Sequence, residues 1–102
     1  MVIADITIVP VGTGTSLGRN VAECIREIEK SGLKYKVTPT ATVVEGSIDE
    51  VLSLIKKVHE VPFKLGAKRT FIVIKIDDRR DKPLSMNGKI ESIKARLPRV
   101  EV

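Results

Sequence analysis

Residues Val2–Ser16 read VIADITIVPVGTGTS, a strand of alternating character that runs straight into a loop of glycine and threonine. Successive side chains of a strand point to opposite faces, so Ala4, Ile6 and Ile8 share one side while Ile3, Asp5, Thr7 and Val9 share the other. One side is wholly apolar and the other mixed. That asymmetry predicts a sheet with helices behind it and a less apolar environment in front.

Helical spacing begins at Leu17 and continues through Val21, Cys24, Ile25 and Ile28, with Thr15 or Ser16 available as a cap and Gly32 where a left-handed C-terminal residue belongs. Leu33–Thr38 and Thr40–Glu45 read as two short strands hinged about Pro39, hence a hairpin. Ser47–Glu50, SIDE, is a capping box that opens a second helix through Val51, Leu52, Leu54, Ile55 and Val58 towards Gly66. Pro62 lies near its end, which predicts a kink in the last turn or an early stop. Arg69–Ile76 is the strongest strand, with large apolar groups on both faces. After the charge-balanced run DDRRDKP, Asp77–Pro83, Ser85 caps a third helix carrying Met86, Ile90, Ile93 and Leu97, and Pro98 ends it. The order strand, helix, strand, strand, helix, strand is the split βαβ pattern of an α+β, ferredoxin-like antiparallel sheet, here with an added C-terminal helix. Residues 1–102 are expected to form one domain in which Ile6 and Ile74 are core positions.

With aromatic residues at 3% of the chain, the core has to be built from Val, Ile and Leu. A net charge of +5 is dispersed among acidic neighbours, which indicates solubility more than a nucleic-acid surface. One cysteine cannot form an internal disulfide, and no leader or apolar span is evident, so a reducing cytoplasm is the expected location, with no membrane partner. Cys24 belongs to the apolar stripe of the first helix and reads as a small buried hydrophobe.

The spacing of Gly12, Gly14 and Gly18 departs by one residue from a dinucleotide fingerprint, and no lysine follows as a phosphate-binding P-loop requires. His59 has no partner at ligand spacing. Among Asp77, Asp78 and Asp81 the interleaved bases Arg79, Arg80 and Lys82 supply ion-pair partners, so no metal is expected. What remains is the outer sheet face, where alternation sets Asp5, Thr7, Thr42 and Lys75 among Ile3, Val9, Val44, Phe71 and Val73. Such a mixed surface fits a ligand pocket, a subunit interface with paired polar groups, or a register shifted by one residue.

The segments PVGTGTS, TATVVEG, FKLGAKR and KIDDRRDKPLSM occur in order along the chain, which in this respect resembles the thiamine-binding proteins, a family of small archaeal, bacterial and fungal proteins. The resemblance implies a ferredoxin-like subunit, assembly into dimers or tetramers through the sheets, and binding of thiamine or a related pyrimidine without a known reaction. It implies no cofactor, thiamine or its phosphate being a possible ligand. An aminopyrimidine wants carboxylates or hydroxyls at fixed spacing, which Asp5, Thr7, Thr42 and Glu45 could supply, with Lys75 beside them. Strict alternation aims Glu45 at the helix side unless a bulge intervenes. The competing reading is an RNA-binding module, disfavoured because Tyr35, Phe63 and Phe71 are the only aromatic residues and none lies on the two strands expected at the centre of the sheet. An enzyme is disfavoured by the lack of any nucleophile and base constellation.

Overall fold

The computed structural model describes residues 1–102 and has the elements β1 (Val2–Val11), α1 (Gly18–Lys30), β2 (Lys34–Val37), β3 (Thr42–Gly46), α2 (Ile48–Lys64), β4 (Arg69–Asp78) and α3 (Met86–Arg96). The strands form one antiparallel sheet in the order β2-β3-β1-β4, the ferredoxin-like arrangement with α3 added. Helices α1 and α2 pack on each other, and α2 covers β1, β3 and β4. Between helices and sheet lies a core of Val2, Ala4, Ile6, Cys24, Ile28, Val44, Val51, Leu54, Val58 and Val61.

Local chemistry explains where α2 begins and ends. Ser47 Oγ accepts from Glu50 N while the Glu50 carboxylate accepts from Ser47 N, the two halves of a capping box. The helix then runs through Pro62 to Lys64 and does not stop at the proline. Pro62 has no N–H to give Val58 O, but its ring is buried and the carbonyls of the last turn find partners beyond the helix. Gly66, at φ +98°, donates to Phe63 O, and Ala67 donates to Pro62 O at 3.0 Å, which together make a Schellman ending. At α1 the expected hydroxyl cap is absent: Leu17 occupies the N-cap position and no side chain caps the helix.

Register corrects the expected face of β3. Rungs Ala4↔Val44 and Ile6↔Thr42 put Thr42 and Val44 on the helix side with Ala4 and Ile6, while Val43 and Glu45 share the outer face with Asp5 and Ile3. Both parities of β3 carry one large apolar group and one polar group, so alternation alone could not choose between them. Ile74 is a second correction. It faces the helices opposite Ile6 but stands 37% exposed, because β4 is the edge strand.

Truncation of Ile6, 4% exposed, to Ala is expected to cost about 2–5 kcal/mol, whereas Ile74→Ala should cost about 1 kcal/mol. Urea denaturation of the two variants checks the difference.

Candidate functional site

Strand β1 pairs with β4 along its full length, from Val2↔Asp78 to Val11↔Arg69, but with β3 only as far as Ile6↔Thr42. Beyond Ile6 its β3-side edge is free of β3, and the hairpin tip turns away across it. The tip is a closed turn, with Thr38 N and Thr38 Oγ1 both donating to Ala41 O at 2.8 Å and Pro39 supplying the fixed φ its second position favours. Thr7 Oγ1 donates to Thr40 O at 3.1 Å and ties the tip to β1. Helix α1 forms the opposite wall.

These elements enclose a groove of about 350 Å³, within the range of small-molecule sites, about 300–1,000 Å³. Its lining is apolar over Ile6, Ile8, Val21 and Ile25, with four threonines at positions 7, 38, 40 and 42 as the polar side chains. None of the sixteen lining residues is charged. Hydroxyls both donate and accept, and a free strand edge offers N–H and C=O groups at intervals, so the groove suits a flat neutral ring carrying a few hydrogen-bonding atoms. Cys24 lies in its floor, where burial, with a smaller contribution from the Glu23 carboxylate, pushes the thiol up to about 11. At neutral pH it is a protonated thiol and a poor nucleophile.

The residues expected from the sequence divide between two places. Thr7 and Thr42 line the groove. Asp5 and Lys75 face each other on the outer side of the sheet, Nζ to Oδ2 at 3.7 Å, an exposed pair of small energetic weight. Glu45 also lies on that face, with no bulge required, and its Oε1 accepts from Met86 N at 2.6 Å, the first amide of α3. Asp77 makes the companion contact with Lys89 Nζ at 2.7 Å. Ile3 pairs across the sheet with both Glu45 and Asp77 and is buried, so the two carboxylates latch α3 at one end of the face. At the other end Phe71 and Val73 stay 60% and 47% exposed.

The lining also includes Val37, Thr38 and Thr40, which the sequence did not mark as site residues. A signal for them exists in Val37–Val44, VTPTATVV, an uncharged run in a chain that is 30% charged.

The sequence profile of the family described as thiamine-binding protein matches residues 4–94. The chain is 40% identical over 102 residues to the UPF0045 protein YqgV of Bacillus subtilis, covering 95% of this chain and 98% of that one. It is 33% identical over 99 residues to a UPF0045 protein of Methanothermobacter thermautotrophicus, covering 95% and 100%. Among solved structures it is similar to MJ1052 of Methanocaldococcus jannaschii, with a TM-score of 0.85, 33% identity and coverage of 90% and 94%. It is also similar to a Thermotoga maritima protein assigned provisionally to thiamine biosynthesis or salvage, with a TM-score of 0.78, 26% identity and coverage of 90% and 97%.

A thiol whose folded value is raised to about 11 from an ordinary 9.0 contributes stability that is complete below 9.0 and is lost as pH rises towards 11, since the unfolded thiol ionises first. Cys24→Ala should therefore flatten the loss of stability over that window, as read by denaturation at a series of alkaline pH values.

Proposed function

The chain belongs to the thiamine-binding protein family, and on that premise we propose that it is a non-catalytic binder of a pyrimidine-class small molecule, held in the groove between α1 and the β2–β3 tip. The observation that carries this reading is the uncharged, threonine-edged lining. It suits the aminopyrimidine half of thiamine, whose ring nitrogens accept and whose amino group donates, and leaves the cationic thiazolium, or a phosphate, at the mouth in water. The lack of any charged group in the lining, with Cys24 held as a protonated thiol, supports binding without turnover. No helix is long and apolar enough to cross a membrane, which agrees with a ligand met in aqueous solution, in the cytoplasm on this proposal.

Titration calorimetry with hydroxymethylpyrimidine and with thiamine tests the reading. Thr42→Val is expected to weaken binding roughly fivefold, the loss of about one neutral hydrogen bond, while Asp5→Ala on the opposite face leaves it unchanged. Wild-type affinity in Thr42→Val together with lost affinity in Asp5→Ala would move the site to the outer face.

The proposal includes self-association into a dimer or tetramer through that outer face, where Phe71 and Val73 remain in contact with water beside Thr7 and Val9. Sedimentation equilibrium should give a multiple of 11.2 kDa, and Phe71→Glu should lower it; a wild-type monomer would overturn the assembly and leave the groove standing.

A further inference from the structure

The run Asp77–Pro83 balances three acids against three bases in sequence, and in the fold Arg79 and Arg80 stay paired within it while Lys82 does not. A second cavity, of about 540 Å³, lies between this turn and the first turns of α3. Its lining includes Arg79, Lys82, Ser85, Lys89 and Ser92, and no carboxylate. On α3 the residues Ser85, Lys89 and Ser92 follow helical spacing and so present one face to the turn opposite. Two of the lining cations already hold a carboxylate, Arg79 through Nε and Nη2 on Asp81 and Lys89 on Asp77, while Asp78 accepts from Arg80 outside the lining. Lys82 takes part in none of these pairs. A further cation stands behind the wall, Arg96 Nη1 donating to Ser92 Oγ at 2.6 Å.

From this arrangement we propose that the cavity is a binding site for a dianionic phosphate group, carried either by inorganic phosphate or by a small phosphomonoester. Its polar side chains are an ammonium without a carboxylate partner, a guanidinium with one nitrogen outside its ion pair, a second ammonium that keeps donors beyond its pair with Asp77, and two hydroxyls. A phosphate offers acceptors in several directions and enough charge to compete with water for such donors, whereas a neutral or cationic ligand would leave them unpaired. The site is separate from the groove. It lies beyond the C-terminal end of β4, which pairs with the start of β1, whereas the groove borders the later half of β1. Its occupancy is therefore independent of the pyrimidine reading.

The test is a titration of the full chain, with backbone amide shifts read by NMR, against inorganic phosphate, glycerol phosphate and, as ionic-strength control, sodium chloride. Saturable shifts at Lys82, Ser85, Lys89 and Ser92 are expected with one or both phosphates and not with chloride. Preference for glycerol phosphate identifies a phosphomonoester as the ligand, and preference for the free ion identifies phosphate itself. Lys82→Ala, an exposed position that leaves every ion pair in place, should weaken binding roughly tenfold. Equal shifts with chloride, shifts elsewhere, or unchanged affinity in Lys82→Ala would overturn the proposal.

Discussion

The structure depends on an unequal pairing of β1. On one side β4 accompanies it for all ten residues; on the other β3 leaves it after Ile6. A central strand normally has both edges satisfied within the sheet, so the last residues of β1 need another neighbour on the β3 side. The hairpin tip provides part of it through the Thr7 to Thr40 bond, and α1 provides the apolar wall. The groove is the space left over. Its neutrality follows from its origin, since both contributing surfaces, the core stripe of α1 and the Thr-Pro-Thr-Ala-Thr tip, lack charge.

Charge is concentrated instead at the opposite end of β1. There Glu45 and Asp77 flank Ile3 and hold α3, a helix with no buried residue of its own, by a capped amide and an ion pair. Apolar burial is a weak anchor for such a helix, and directed polar contacts set its position. In the following turn Arg79 keeps Asp81 as its partner, while Lys82 lines a cavity and has no carboxylate paired with it. The ends of one strand thus carry two environments, one uncharged and one cationic.

Much of the fold was legible in the residues. The capping box at Ser47, the glycines at positions 32 and 66, the alternation of β1 and the Ser85 cap are local signals, and each element they predict is present. How far a helix continues past a proline depends on what donates to the carbonyls of its last turn, and here that donor, the Ala67 amide on Pro62 O, belongs to the next segment. Of the expected site residues, Thr7 and Thr42 line one groove, from opposite faces of the sheet, while Asp5, Lys75 and Glu45 do not join them.

The sequence by itself determined the element order, the crossover pattern and the apolar side of β1, because those rest on periodicity and capping within a few residues. Only the tertiary structure decided which side of β3 faces the helices. Thr42 and Val44 are as apolar a pair as Val43 with the stem of Glu45, so the choice rests on pairing with β1, where Ala4↔Val44 puts a small residue under a large one in the core. It also decided where the groove lies, since a cavity depends on where strands end relative to one another, a distance between segments that no local pattern contains.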